Sequence, residues 1–213
     1  MIRVALTQRT ALDPFGEVRD CLDQRWSMLL EAWNMVALPL PTALRRPEHH
    51  LDALRPDLVL LTGGNDLAAL AGATAPTPAR DAFEERVLTW CEVRCVGVVG
   101  ICRGMQFLAH LGGSRLVELN GHVAQRHQVL VRGSVDTAGR LHEVNSYHRF
   151  GIREADLAPN FEPFAWDQEG NVEAFEDLRR GQVGVMWHPE REPSETAWAA
   201  CMLRDVMLGL GSK

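Results

Sequence analysis

A chain of 213 residues, 46% hydrophobic and 23% charged, has enough apolar material for one ordinary core and too much to remain disordered. Its formal net charge of −6 excludes the broad basic footprint of a non-specific nucleic-acid binder, although a local basic pocket can sit inside an acidic average. No stretch approaches the roughly 18 apolar residues of a membrane span. The opening residues 1–6 run straight into Thr7-Gln8-Arg9, without the apolar core and small-residue cleavage site of a secretion signal. Five scattered cysteines, Cys21, Cys91, Cys95, Cys102 and Cys201, are odd in number, which fits reduced thiols in the cytoplasm better than a disulfide framework. Cys91 and Cys95 have no second ligand pair behind them, so zinc is not expected there.

In chain order, residues 2–6 read as a buried strand. Residues 18–33 read as a helix, with Leu22, Trp26, Leu29, Leu30 and Trp33 on one face. Leu58-Val59-Leu60-Leu61 is a second core strand that ends in Thr62-Gly63-Gly64-Asn65. A helix follows over 81–93, where Asp81-Ala82-Phe83-Glu84 has the spacing of a capping box. Residues 96–101 form a third strand and 105–111 a helix stopped by Gly112-Gly113. From 115 to 144, alternating valines and leucines with turn signals at Gly121, Gly133 and Gly139 predict hairpins at a sheet edge. Residues 182–187 return to core strand, and 196–208 form a last helix. Strands apolar on both faces, alternating with helices, predict one α/β domain over 1–213. Its central sheet is mostly parallel, with helices on both faces.

The most informative segment is Gly100-Ile101-Cys102-Arg103-Gly104, between a strand and a helix. It is a cysteine version of the nucleophile elbow. A residue on so tight a turn needs small neighbours two positions away, and it emerges at the carboxyl edge of the sheet, where open α/β sheets bind ligands. It also stands at a helix N-terminus, whose partial positive charge favours negative charge on the sulfur. A thiol nucleophile needs a base, and the base an orienting group. Trp187-His188-Pro189-Glu190 provides both at the end of a core strand, where residues two apart point the same way. Attack on an amide creates an oxyanion that needs preorganised N–H donors. The Gly63-Gly64 turn and the residue after the nucleophile place the N–H groups of Gly64 and Arg103 in that role.

With these residues in place, Leu61-Thr62-Gly63-Gly64, Gly100-Ile101-Cys102-Arg103-Gly104-Met105-Gln106, Val144-Asn145-Ser146-Tyr147-His148 and Trp187-His188-Pro189-Glu190 resemble, in this order, the class I glutamine amidotransferase superfamily. The likeness is to its γ-glutamyl hydrolase branch, peptidase C26, and spans nearly the whole chain. It implies a flavodoxin-like fold and cleavage of a γ-glutamyl amide through a cysteine thioester, with release of glutamate. Cys102 would then be the nucleophile, His188 the base and Glu190 its orienter. Gln106, Asn145, Ser146 and Tyr147 would hold the glutamyl group. No metal or organic cofactor is implied.

The likeness departs from γ-glutamyl-γ-aminobutyrate hydrolases, which usually read Asn-Ser-x-His-His-Gln where this chain has Asn145-Ser146-Tyr147-His148-Arg149-Phe150. Thr7-Gln8-Arg9, the run from Cys21 to Trp26, Gly121-His122-Val123-Ala124 and Glu190-Arg191 resemble instead a smaller subgroup. Its members include hydrolases of γ-glutamyl-CDP-amidate, an intermediate of capsule phosphoramidate synthesis. Arg9 and Arg25 could meet such a diphosphate, since guanidinium groups suit phosphate oxygens. His122 and His127 are further candidates for substrate contact. Two other readings remain. One is a glutaminase subunit passing ammonia to a synthase partner, with Phe161, Trp166 and Trp198 as a docking patch if they lie exposed together. The other is a non-catalytic relative in which Cys102 is a redox sensor.

Overall fold

The computed structural model describes residues 1–133 and 139–211. Its first half alternates strands and helices: β1 (Arg3–Leu6), a hairpin of β2 (Arg9–Leu12) and β3 (Val18–Cys21), α1 (Gln24–Ala32), β4 (Val36–Pro39), α2 (Pro47–Leu54), β5 (Leu58–Leu61), α3 (Pro78–Arg94), β6 (Gly97–Ile101) and α4 (Arg103–Leu111). The second half is richer in strands. It holds β7 (Val117–Glu118), β8 (Val123–Val131), β9 (Leu141–Tyr147), β10 (Phe150–Gly151), β11 (Glu162–Trp166), β12 (Val172–Asp177), β13 (Gln182–Val185) and the closing α5 (Trp198–Gly211).

Nine of these strands form one sheet in the order β4-β1-β5-β6-β13-β12-β11-β8-β9. The first five run parallel. Numbered among themselves, they have the 2-1-3-4-5 order of flavodoxin-like sheets. The other four extend it antiparallel. Residues apolar on both faces explain why the parallel half must be covered on both sides. Val4 and Leu6, Leu58 and Leu60, and Val99 and Ile101 face one cluster with Trp26, Leu30 and Leu203 of α1 and α5. Ala5, Val59, Leu61 and Val98 face the other, with Phe83 and Val87 of α3 and Met105 and Leu108 of α4.

The structure corrects two element boundaries. Residues 18–21 are the second arm of an exposed hairpin, and the helix begins only at Gln24, where the Asp23 side chain accepts the Arg25 N–H at 3.0 Å. An N-cap carboxylate thus outweighs the helical spacing of the preceding residues. The helix expected over 81–93 starts earlier, at Pro78, because a proline fits the first helical position, where no intrahelical donor is needed. Asp81 and Glu84 therefore form no capping box; both carboxylates turn inward to Arg103. The expected edge hairpin is the β8–β9 pair, and residues 134–138 between its strands lie outside the described residues. All five cysteines are free. Among the described residues, no helix is long and apolar enough to cross a membrane.

Helix α4 lies directly on β5, and its glycine permits that. A Cβ on Gly104 would stand 2.2 Å from the Leu61 carbonyl oxygen, which belongs to a buried strand that cannot retreat. Gly104→Ala is expected to lose about 1–3 kcal/mol of stability. Gly209→Ala in α5, where a Cβ meets nothing within 4 Å, should be neutral or gain up to about 1 kcal/mol of helix propensity. Urea unfolding midpoints of the two variants, at unchanged slope, check the contrast.

Candidate active site

Cys102 lies between β6 and α4 with φ 52° and ψ −105°, a combination an L residue seldom adopts. Strain of this kind costs on the order of 1–3 kcal/mol and survives only where the surroundings over-determine it. Here the Cys102 N–H donates to the Val185 carbonyl at 2.8 Å, and its own carbonyl accepts from Gln106 N at 3.0 Å, opening the helix. A Cβ on Gly100 would stand 2.6 Å from the Gly104 backbone. The turn thus requires both flanking glycines, as the steric argument predicts.

His188 follows β13 and is almost fully buried. Its Nδ1–H donates to Glu190 Oε1 at 2.7 Å, and Cys102 stands beside the ring. Burial pushes the His188 pKa down, but the adjacent Cys102 and the Glu190 carboxylate outweigh it and hold the value at about 9, against an ordinary 6.5. Asn145 fixes the histidine backbone from both sides. Its Oδ1 accepts from His188 N at 3.0 Å, and its Nδ2 donates to His188 O at 2.8 Å and to Glu192 at 2.6 Å.

The Thr62–Asn65 loop is held by a buried cation that the sequence did not single out. Arg80, wholly buried at the start of α3, donates to the carbonyls of Thr62 (2.7 Å), Gly63 (3.2 Å) and Gly64 (2.6 Å). Each of these peptides is trans, so a carbonyl drawn toward Arg80 turns the next residue's N–H the opposite way. Three successive N–H groups, those of Gly63, Gly64 and Asn65, are oriented by one guanidinium. Glu84 balances Arg80 at 2.9 Å, accepts from Thr7 Oγ1 at 2.7 Å and pairs with Arg103, which also pairs with Asp81. Burial draws the Arg80 pKa down to about 10, opposed by Glu84, so the group stays charged at neutral pH. One buried network therefore joins the glycine loop to the first residue of the nucleophile helix.

Two cavities meet at this point. One, of about 310 Å³, is lined by Cys102, Arg103, Gln106, Tyr147, Arg149 and Asp66 among others. The second, of about 320 Å³, is lined by Arg9, Asp23, Trp26, Gly63, Glu190 and others. Both touch Gly64, His188 and Arg191.

The structure brings together Cys102, His188, Glu190, Gly64, Arg103, Gln106, Tyr147 and Arg9 around these two cavities. It does not bring Asn145, Ser146 or Arg25 to them. The Asn145 amide is used up on His188 and Glu192, and fully buried Ser146 donates to the His122 carbonyl at 2.7 Å. Arg25 forks onto Asp23 at 2.7 and 3.0 Å and borders a separate groove with Pro189 and Glu192. In its place stands Arg191, whose guanidinium lies 4.5 Å over the Tyr147 ring. Its place directly after the His-Pro-Glu run was the signal that could have found it. His122 and His127 line neither cavity; they gather with His148, which lines the first. Phe161 is buried while Trp166 and Trp198 are only partly exposed, with Trp198 stacked on His142 at 3.8 Å.

The arrangement is that of a thiol nucleophile, a carboxylate-oriented imidazole and a preorganised N–H loop, which suits acyl transfer. The peptidase C26 family matches residues 12–190, so the chain belongs to that family and is an amide hydrolase. It is 29% identical over 195 residues to the γ-glutamyl-CDP-amidate hydrolase of Campylobacter jejuni, covering 89% of this chain and 90% of that protein. Among solved structures, a glutamine amidotransferase of Thermotoga maritima superposes with a TM-score of 0.73 at 16% identity, covering 100% of this chain and 99% of that one. A candidate GMP synthase subunit of Thermoplasma acidophilum gives 0.74 at 18%, covering 100% and 94%. These two establish the fold alone.

Replacing Arg80 by Met would leave the Glu84 carboxylate facing Arg103 alone and release three carbonyls. Arg80→Met is expected to cost about 3–5 kcal/mol in chemical denaturation. In steady-state kinetics it should lower kcat more than it raises KM, because oriented N–H groups act on the transition state. Arg80→Lys, which keeps the charge and loses the fork, should fall between.

Proposed function

We propose that the chain hydrolyses a γ-glutamyl amide through a Cys102 thioester, and that its substrate is γ-glutamyl-CDP-amidate. The observation that carries the reading is a pair of cavities that share Gly64, His188 and Arg191, one also lined by Cys102, Gln106 and Tyr147, the other by Arg9. In this assignment the glutamyl group occupies the first cavity. The second takes a leaving group rich in negative charge, which forked guanidinium donors recognise. The named activity of the C. jejuni relative, 29% identical over most of both chains, supports the same substrate and a place in capsule phosphoramidate synthesis.

In the first step the Cys102 sulfur attacks the γ-carbonyl carbon, and the oxyanion is met by the N–H groups of Gly64 and Arg103. His188, holding the thiol proton, gives it to the departing nitrogen as the C–N bond breaks. The amidate leaves and a thioester remains. His188 then takes a proton from water, whose oxygen attacks the thioester. The proton returns to sulfur, and glutamate departs. Glu190 keeps the ring in its orientation throughout.

Glutamate release from γ-glutamyl-CDP-amidate, γ-glutamyl-γ-aminobutyrate and glutamine, measured in parallel, tests the assignment. The nucleotide conjugate should be fastest, and Cys102→Ala should lose about 10³-fold or more. Arg9→Ala should raise KM for the conjugate and leave the other two substrates unchanged. Faster release from the γ-aminobutyrate compound would overturn the leaving group, and an active Cys102→Ala would overturn the nucleophile.

The pH profile follows from His188. Its pKa is raised to about 9, so the protonated form that delivers the leaving-group proton persists through neutrality and is lost as pH rises through that value. The alkaline limb of kcat/KM should fall near pH 9, and Glu190→Gln, which removes one of the groups holding the value up, should move the limb to lower pH.

A further inference from the structure

A second cluster of polar groups lies in the antiparallel part of the sheet; it adjoins the first cavity, which His148 lines, and has no role in the steps above. His122 precedes β8, His127 lies within it, His148 follows β9 and Glu173 projects from β12. Ring centroids of His122 lie 4.9 Å from His148 and 5.1 Å from His127. His148 is 3% exposed and Glu173 1%. Ligand atoms from His122, His148 and Glu173 all fall within 4.8 Å of one another.

The hydrogen bonds around the cluster aim it inward. His148 Nδ1 faces the Phe150 carbonyl at 3.1 Å, and His122 Nδ1 faces the Asn120 carbonyl at 2.9 Å. A carbonyl only accepts, so both Nδ1 atoms carry hydrogen and each neutral ring presents a lone pair at Nε2. Those lone pairs face carboxylates: His148 Nε2 lies 3.4 Å from Glu173 Oε1, and His122 Nε2 lies 2.9 Å from Asp167 Oδ2. Lone pair against carboxylate is repulsive unless positive charge stands between them. The Nε2 atoms of His127 and His148 and both Glu173 oxygens find no hydrogen-bond partner among the described residues.

We propose that His122, His148 and Glu173 bind a divalent transition-metal ion of the zinc class, with His127 as a further donor and Asp167 beside it. Imidazole and carboxylate together suit zinc and its first-row neighbours. Backbone carbonyls on the far ring nitrogens are the usual outer support of metal-bound histidines. Two ligands held at about 2.0–2.2 Å in a tetrahedral shell stand roughly 3.4 Å apart, the spacing seen between His148 and Glu173, which is long for a direct hydrogen bond. A dication also balances Asp167 and Glu173 with all three rings neutral. The site ties the start of β8, the end of β9 and β12 into one unit. Since Asn145 of β9 grips the His188 backbone, the ion positions the catalytic histidine from a distance.

The test uses the whole protein, purified with any affinity tag removed, incubated separately with zinc, cobalt and manganese salts, then desalted. Elemental analysis should show about one equivalent of zinc or cobalt. The cobalt form should have ligand-field absorption, and metal should raise Tm. Cys102→Ala should retain the ion, whereas His148→Gln and Glu173→Gln should each lose it. If those two variants fail to fold, a zinc titration of wild type followed by nitrogen-15 NMR should move the Nε2 resonances of His122 and His148. A folded wild type that retains only a small fraction of an equivalent and shows no Tm shift would overturn the proposal. So would an ion lost in Cys102→Ala, kept in both ligand variants, or bound without moving those resonances. The cluster would then be a protonated-histidine ion-pair network.

Discussion

A carboxylate with no exposed surface, Glu84, meets two guanidinium groups and a hydroxyl, and most of the catalytic geometry depends on that arrangement. Burial alone would push its proton affinity up; Arg103 and Arg80 reverse this and keep the charge. A buried ion of this kind is tolerable only when fully surrounded by partners, so each partner's position becomes fixed. Arg103 opens the nucleophile helix, Arg80 holds the glycine loop, and Thr7 directly follows β1 and hydrogen-bonds Thr62 through both its hydroxyl and its carbonyl. The thiol, the proposed oxyanion donors and the central strands are thereby set relative to one another by directional charged contacts, which apolar packing does not supply.

The strained cysteine fits the same scheme. Its backbone is held in an unfavourable conformation by the sheet on one side and the helix on the other, with glycines where any side chain would collide. That strain lifts the sulfur toward His188, whose own charge state depends on Cys102 and Glu190.

Much of this was legible in the sequence, and the part that was not has a common physical cause. The elbow, the His-Pro-Glu run and the double-glycine turn are local patterns, in which a few consecutive residues state a backbone requirement. Runs apolar on both faces likewise revealed four of the five parallel strands, β4 being the one not read. What failed to show were choices made across the chain. Asp81 and Glu84 have capping-box spacing, yet their partner is Arg103, about twenty positions away. Asn145 and Ser146 lie in a motif that suggests ligand contact, yet the backbones of His188 and His122 take up their hydrogen-bonding groups. Arg25 pairs locally with Asp23, and Arg191, one residue beyond the triad, stands at the cavities instead. The histidines at 122, 127 and 148 meet only because β8, β9 and β12 share a sheet.

On the proposed assignment the two cavities divide the labour of the site in a way that composition would not suggest. The chain is acidic overall, yet Arg9 and Arg191 converge where the second cavity meets Gly64 and His188. A Cβ on Gly64 would stand 2.9 Å from Arg9 Cδ, so the loop that carries an oxyanion donor also packs against the arginine. On the proposed assignment, a charged leaving group held by Arg9 would bind against the loop that offers the Gly64 N–H, so recognition and attack would share one support. A small neutral leaving group would make no such contact. It would be cleaved by the same triad without that help, which is how a shared catalytic core can serve one conjugate better than free glutamine.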